Sequence, residues 1–328
     1  MTIKPIIIVS GEPYSIFLEI FFKSLKKKKI QKLKNPIIII CSRDLLLSQM
    51  NKLKYKFSFE DISKDRFNIK GLNNKKINII DVNFKFKKPF DKISVNSKSY
   101  IEQCMNIALN LIKKNKIKAL INGPISKTHF LKKKFPGMTE YFAKKTSCYG
   151  KEVMLIFNKN LSVSPLTTHL PIKKIFTKIT QQKIIKHSLT INNFYKKYLN
   201  KKPIIAVTGL NPHCETTDKF SEDDQILRPA VKKLKNSRIT VKGPYPADTL
   251  FLKKNIKQYD VIIGMYHDQV LAPIKALYGF NAINVTLGLP FIRITPDHGT
   301  NNSMIGKNLS DPTSLIEAII FTKKISEN

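Results

Sequence analysis

The chain is punctuated by short, mostly aliphatic and β-branched runs: Ile6–Val9, Ile37–Cys41, Ile77–Val82, Ala119–Asn122, Val153–Phe157, Ile204–Thr208, Val261–Met265 and Ala282–Leu287. Runs this short and this continuously apolar are the pattern of strands buried on both faces. Segments with helical periodicity, among them Tyr14–Leu25, Ser99–Ile112 and Gln181–Leu199, lie between many of them. Strand and helix in alternation predict an α/β fold built on a mainly parallel sheet with helices on both faces. In such folds ligands gather beyond the carboxyl ends of the strands, so the residues that follow each run are the candidates for chemistry. Two polar stretches, Lys85–Ser99 and His213–Asp224, read as long loops. There is no internal repeat.

Composition narrows the function classes. A length of 328 residues suits one large α/β unit or two domains sharing a cleft. Cys41, Cys104, Cys148 and Cys214 are far apart and form no CxxC pair, which argues against a zinc knuckle or disulfide framework and for a reducing cytoplasm. No apolar stretch approaches the roughly 20 residues that span a bilayer, and Ile6–Val9 is too short for a signal-peptide core. A soluble, cytoplasmic protein without a membrane partner is expected.

The formal net charge of +35 first suggests a nucleic-acid or acidic-membrane partner. Arginine, the better bidentate reader of phosphate and guanine, occurs only at Arg43, Arg66, Arg228, Arg238 and Arg293. The other cations are lysines scattered among Ile and Asn, and the runs Lys26–Lys29 and Lys132–Lys134 trail helix-like segments as solvated last turns do. The charge is therefore read as compositional bias, with a basic nucleic-acid binder as the runner-up. The twelve glycines never fall closer than seven residues apart, at Gly299 and Gly306, so neither the GxG of a Rossmann fingerprint nor a P-loop spacing occurs.

Three histidines share one context: His169 in "LTTHLP", His213 in "VTGLNPHCE" and His267 in "GMYHDQ" each lie just past an apolar run. Singly, each reads as a loop or core histidine. Together, three imidazoles at predicted strand ends read equally well as ligands of one divalent ion, since neutral imidazole suits Zn, Co, Ni or Fe and leaves positions open for substrate oxygens. His129 and His187 fall on predicted helices and are assigned to the surface.

The blocks around these residues carry a resemblance. "NGPISK" (Asn122–Lys127), "GMTEYFA" (Gly137–Ala143), "TTHLP" (Thr167–Pro171), "GLNPH" (Gly209–His213), "GPYPADTLF" (Gly243–Phe251), "MYHDQVLAPIK" (Met265–Lys275) and "NVTLGLPFIRITPDHGT" (Asn284–Thr300) occur in the order of the 4-hydroxythreonine-4-phosphate dehydrogenase (PdxA) family of vitamin B6 biosynthesis. The chain resembles that family from about Ile6 to Gly306. The resemblance implies an isocitrate/isopropylmalate dehydrogenase-like fold, two α/β domains with an active-site cleft between them, which binds NAD without the Rossmann fingerprint. The expected division is 1–130 plus 255–328 as the cofactor-side domain and 131–254 as the metal, substrate and dimer-side domain.

The implied activity is metal-dependent, NAD(P)-linked oxidation and decarboxylation of 4-phosphohydroxy-L-threonine to 3-amino-2-oxopropyl phosphate in pyridoxal phosphate biosynthesis. The resemblance places metal ligands on His169, His213 and His267, the last reaching the site from the partner subunit of a homodimer. It places substrate contacts on Thr139, Lys275, Asn284 and Arg293, with Met138 where the family has His, and the cofactor loop on His298, Gly299 and Thr300. NAD or NADP and one divalent metal, Zn, Co or Mg, are the implied cofactors.

The chemistry calls for these residue types. Oxidising the alcohol gives a β-keto acid that loses CO2 readily, and a divalent ion that acidifies the alcohol and then acts as a Lewis acid serves both steps. Asp268, adjacent to His267, and Asp248 are candidates to orient ligands or shuttle protons, although Asp248 reads almost as well as a strand-end cap. Lys275 and Arg293 are expected to neutralise phosphate or carboxylate, with Arg293 as the bidentate partner.

The chain departs from the family pattern in several places. "GEPYSIFLEI" stands for a typical "GEPAGIGPEI", so Tyr14, Ser15, Phe17 and Leu18 require a rebuilt first turn. Met138 removes a hydrogen bond to substrate. Asn301, Asn302 and Ser303 follow "DHGT" where a carboxylate is usual, and Cys214-Glu215 follows His213 without the usual glycine. These changes keep open a dehydrogenase of a related 4-phosphorylated hydroxy acid, of threonate or erythronate type.

Overall fold

The computed structural model describes residues 3–115, 117–131, 134–279 and 282–327, so Lys132 and Lys133 of the second lysine run lie outside the described residues. Among the described residues the strands are β1 Ile6–Val9, β2 Ile37–Cys41, β3 Phe59–Asp61, β4 Ile77–Asp81, β5 Ala119–Asn122, β6 Val153–Phe157, β7 Ser162–Pro165, β8 Ile205–Thr208, β9 Val241–Tyr245, β10 Val261–Gly264, β11 Ile283–Leu287 and β12 Ile292–Pro296. The chain forms two compact units, Met1–Tyr141 with Pro290–Glu327, and Phe142–Leu289.

In the first unit the strand order is β3-β4-β2-β1-β5-β12, with every neighbouring pair parallel. The Ile-rich strands β1 and β2 are buried along their whole length, as continuous apolar runs in a doubly covered sheet must be. The helices Ser97–Asn115 and Thr313–Glu327 pack against the sheet, and Phe17–Leu25 packs on the helices Arg43–Lys52 and Thr313–Glu327. The rebuilt first turn is closed by Ser15, whose hydroxyl donates to the Glu12 carbonyl (2.8 Å) and accepts from the Phe17 N–H (3.3 Å), so the helix starts three residues later than its periodicity suggests. Gly11, at φ +77°, and Gly123 stand where the loops after β1 and β5 touch. A Cβ on Gly11 would strike the Pro124 carbonyl and one on Gly123 the Ser10 carbonyl.

In the second unit the order is β11-β6-β7-β10-β8-β9. From β7 to β9 the pairs are parallel, whereas β11–β6 and β6–β7 are antiparallel, so this sheet is mixed. The cause is the short link between β6 and β7, which reverses the chain directly with Asn158 Oδ1 accepting the Asn160 N–H (2.9 Å). A core of Leu161, Val163, Ile262, Val270 and Ile274, among others, lies between the sheet and the helix His267–Tyr278. The helix Gln181–Leu199 begins at Thr180, which accepts the Lys183 N–H, and ends at Asn200 in the left-handed conformation. Among the described residues no helix is long and apolar enough to cross a membrane.

The surface assignment fails for His187, which is buried at 5% exposure. It lies on the inward stripe of its helix with Ile184, Ser188 and Ile191. Its Nε2 is 2.7 Å from Ser164 Oγ, whose own proton goes to the Met154 carbonyl (2.5 Å), so Nε2 is the protonated nitrogen. Burial, reinforced by Lys183, pushes the imidazole down to about 3. His129 is half-buried, with Nδ1 2.8 Å from Ser126 Oγ.

Glu12, 1% exposed, is the opposite case. Burial raises its carboxyl to about 7 against a weaker opposing pull from the Ser97 hydroxyl and the Ser126 and Tyr14 amides, and neither oxygen makes a well-formed hydrogen bond.

These two groups tilt stability in opposite directions. Unfolded His187 protonates below about 6.5 while the folded imidazole resists, so its stabilising contribution is complete above that pH and falls away below it by ~1.4 kcal/mol per pH unit. In urea unfolding, a His187→Gln variant is expected to lose ground to wild type at pH 7 and to close much of that gap by pH 5. Folded Glu12 holds its proton in the window between about 4.5 and 7 where the unfolded chain has lost it, so stability falls as pH rises through that window. Glu12→Gln is accordingly expected to gain on wild type between pH 5 and 7, and a flat difference would contradict a titrating Glu12.

Candidate active site

In the second unit the strands β7, β10 and β8 are consecutive neighbours and parallel, so their carboxyl ends open on one edge. Their following loops carry His169, His267 and His213 respectively. The rings of His169 and His267 lie with centroids 5.9 Å apart. His267 is the first residue of its helix, and its Nδ1 is 2.6 Å from Asp268 Oδ1, which leaves Nε2 directed away from that pair. A carboxylate on one ring nitrogen fixes the tautomer and makes the other nitrogen the better ligand. His213 sits in the turn Pro212–Cys214 with φ +55°, followed by Cys214 at φ +61°, so two L-residues occupy the left-handed region where the family pattern has a glycine next to the histidine. Among the described residues no group of three or more His, Cys, Asp or Glu within the one chain stands ready to hold a metal. The donors are of the right kind: two neighbouring imidazoles, one of them oriented by a carboxylate, and a third on the adjacent strand end.

The other expected residues of this unit are placed as follows. Asp248 is exposed on the short helix Ala247–Leu250 beyond β9, and its Oδ1 accepts the Thr249 N–H at 2.8 Å. Lys275 is exposed two turns along the helix that His267 opens. Asn284, on β11, is half-buried, with Oδ1 enclosed and making no hydrogen bond.

In the first unit β12 presents Arg293, which is 3% exposed. Its Nε–H donates to Asn122 Oδ1 (2.7 Å) at the end of β5, and its Nη1–H donates to Thr139 Oγ1 (3.3 Å) in the first turn of the helix Met138–Lys145. Asn122 Oδ1 also accepts the Thr295 hydroxyl (3.1 Å), while its amide donates to the Gly123 carbonyl (2.8 Å). Burial lowers the guanidinium to about 9 and the Glu140 carboxylate acts against the fall, so it remains charged at neutral pH. Met138 is buried beside Thr139, where a thioether offers no comparable hydrogen bond.

The His298–Thr300 loop lies in the same unit. His298 Nδ1 is 3.1 Å from the Gly299 carbonyl, its Nε2 is buried without a hydrogen bond, burial lowers its pKa, and the ring lies 6.1 Å from that of Phe17. Thr300 and Asn302 border a pocket of about 670 Å3 together with Ser126, His129, Asp91 and Lys92.

Sequence reasoning passed over several residues that hold these arrangements together. Asn122 belongs to the quoted block "NGPISK", and a buried asparagine that ends a strand is itself a signal. Glu12 follows β1 in the same way. Gln269 lies in the quoted block "MYHDQVLAPIK" just past β10, but its role, like that of Asp223, depends on contacts between loops.

Comparison with known proteins identifies the family. Residues 32–322 match the family described as "Pyridoxal phosphate biosynthetic protein PdxA". A protein of Sulfurihydrogenibium sp. (strain YO3AOP1) named 4-hydroxythreonine-4-phosphate dehydrogenase is 36% identical over 323 residues, covering 95% of each chain. One of the same name from Colwellia psychrerythraea is 32% identical over 89% of this chain and 90% of its own. The crystal structure of 4-hydroxythreonine-4-phosphate dehydrogenase from Klebsiella pneumoniae superposes with a TM-score of 0.85 at 25% identity, covering 100% of this chain and 99% of that one. Isocitrate dehydrogenase from Methylococcus capsulatus shares the fold, with a TM-score of 0.51 at 9% identity over 98% of this chain and 85% of its own. On the strength of the family match and of relatives above 30% identity along almost its whole length, this α/β chain belongs to the PdxA family of pyridoxal phosphate biosynthetic proteins.

Proposed function

We propose that the chain is an NAD(P)-linked, metal-assisted 4-hydroxythreonine-4-phosphate dehydrogenase that oxidises and decarboxylates 4-phosphohydroxy-L-threonine. The observation that carries this reading is the row of three adjacent parallel strands, β7, β10 and β8, each followed by a histidine at the same edge. His169, His213 and His267 would hold a divalent ion, Zn, Co or Mg, which supplies Lewis acidity to the reacting alcohol and to the ketone it becomes. The resemblance implies a homodimer in which His267 reaches the site of the partner subunit.

The chain's own groups bind and orient. Arg293, charged and held flat by Asn122 and Thr139, pairs with a substrate anion through two parallel N–H bonds, and Thr139 offers its hydroxyl to the same group. Lys275 adds a point charge for phosphate. Asn284 Oδ1, enclosed and making no hydrogen bond, is ready to accept from a substrate hydroxyl or ammonium group. Asp268 holds the His267 tautomer, and Asp248, exposed near the end of β9, is the group placed to exchange a proton with solvent. The loop His298–Thr300 and the pocket beside it take the cofactor, with the enclosed His298 Nε2 as an acceptor for an amino or hydroxyl donor. The free thiols Cys41, Cys104, Cys148 and Cys214 accord with a reducing cytoplasm.

A related 4-phosphorylated hydroxy acid is the second reading, favoured by Met138, whose buried thioether replaces a hydrogen-bonding histidine beside Thr139.

The first test is NADH formation, followed by absorbance, from 4-phosphohydroxy-L-threonine and NAD. Production that stops on addition of a chelator and returns with Zn, Co or Mg is the expected result. Absence of signal with all three metals and with NADP would transfer the assignment to the threonate or erythronate analogues. His213→Ala is expected to abolish metal-dependent turnover while leaving the circular dichroism spectrum and melting temperature near wild type, and undiminished turnover would remove His213 from the site. Arg293→Lys is expected to lower kcat/KM by roughly 100-fold, chiefly through KM, since an ammonium cannot replace the paired N–H donors.

A further inference from the structure

Gln269 stands in the first turn of the helix His267–Tyr278, and its side-chain amide joins two strand ends at once. Its Oε1 accepts from the Met265 N–H (2.7 Å) and from the Thr208 hydroxyl (2.8 Å), and its Nε2–H donates to the Gly209 carbonyl (2.8 Å). Met265 directly follows β10 and leads to His267, whereas Thr208 ends β8 and Gly209 follows it towards His213. On the other side, the Thr167 hydroxyl donates to the Met265 carbonyl (2.7 Å) and the Leu166 N–H to the Gly264 carbonyl (2.7 Å), tying the loop of His169 to the same point.

The chain of bonds continues past Gly209. Asp223, with no exposed surface, accepts the Leu210 N–H at 2.9 Å on one oxygen and the Asn211 N–H and Nδ2–H, each at 3.0 Å, on the other. Gly209 has no room for a side chain, because a Cβ there would strike Cys214 Sγ. A single polar network therefore runs from the loop of His169, through that of His267, to that of His213. A glutamine at the third position of a helix often reaches back to the N–H of the N-cap residue, here Tyr266, but the Gln269 amide instead bonds Met265, the residue before the cap. The bonds to Thr208 and Gly209 reach a different strand.

We propose that Gln269 is a positioning residue: its amide sets how the loops bearing His169, His213 and His267 stand to one another, and so the affinity of the ion sites those imidazoles form, within a chain or across a homodimer. This rests on the reading of the three histidines as metal ligands. A one-ångström shift between loops is enough to spoil a ligand set, and groups that orient ligands typically change metal affinity by about 10- to 100-fold.

The experiment is titration of the full-length, metal-free protein with Co(II), read by calorimetry and by the visible ligand-field band, alongside the melting temperature of the metal-free form. Wild type is expected to bind with a defined stoichiometry. Gln269→Ala, and Gln269→Glu, which sets a carboxylate against the Gly209 carbonyl, are expected to bind about 10- to 100-fold more weakly with an altered band, while melting within a few degrees of wild type. Thr208→Val, which keeps the amide and the shape but removes one of its donors, is expected to give a smaller loss in the same direction, and it carries the test if the Gln269 variants do not fold. Wild-type affinity and an unchanged band in folded Gln269 variants, or in Thr208→Val where those do not fold, would overturn the proposal and leave Gln269 as a tie that only holds the two strand ends together. Failure of wild type to bind Co(II), Zn or Mg would instead overturn the metal reading, and the proposal with it.

Discussion

Parallel pairing of β7, β10 and β8 is the constraint on which the candidate site depends. Parallel neighbours emerge from the sheet at the same end, so three loops far apart in sequence open side by side. Had β10 run the other way, its loop would leave by the opposite end of the sheet and His267 would be a strand's length away from the other two. The reversal does occur nearby, at the β6–β7 hairpin, and the one reversed strand, β6, contributes no histidine. The apolar core beneath the helix His267–Tyr278 holds this arrangement from below, through Val270 and Ile274, while its first turn faces the polar edge.

In the first unit, one cause acts on two charges with different consequences. Burial moves Arg293 down to about 9 and Glu12 up to about 7, each towards its neutral form. Near pH 7 the shift leaves Arg293 cationic but puts Glu12 at its midpoint. A buried guanidinium that stays charged amid amide and hydroxyl oxygens has given up its hydration without losing its attraction for anions, and this suits it to receive a carboxylate or phosphate. Glu12 carries the same desolvation cost with less return, so its carboxyl spends much of its time protonated.

The sequence disclosed those parts of the fold that declare themselves locally. Buried parallel strands such as Ile6–Val9 and Ile37–Cys41 are continuous apolar runs, and the helix Gln181–Leu199 carries its stripe and its capping Thr180 in plain view. The strands β7, β9 and β12 were not legible, because "SVSP", "VKGPY" and "IRITP" carry serines, prolines and cations that local pattern assigns to loops. Their partners in the sheet override that preference. His187 was misplaced for a related reason: its helix was recognised, but its position on the stripe of Ile184 and Ile191 was given less weight than its polarity. At the candidate site, the histidines, Arg293 and Thr139 were legible from short motifs. Gln269 stood in one of those motifs, but its role, and Asp223 altogether, were not legible, because what each of them does is defined by atoms of another loop.

The loop of His213 shows how such non-local support permits divergence. Losing the glycine next to the histidine leaves His213 and Cys214 in left-handed backbone conformations, at a cost of roughly 1 kcal/mol or more each. Within the turn only two backbone bonds, from the Cys214 N–H to the Asn211 carbonyl (3.0 Å) and from the Glu215 N–H to the Pro212 carbonyl (3.1 Å), oppose that cost, for its helix-like segment is three residues long and has no side-chain cap. The compensation lies at its base. Asp223 takes three N–H donors from Leu210 and Asn211, Gln269 takes the Gly209 carbonyl, and the Cys214 thiol fills the space that a glycine side chain leaves empty. A turn clamped this firmly at its root can tolerate a strained tip and still project an imidazole, so the chain can depart from the family pattern beside a candidate ligand while keeping the ligand itself.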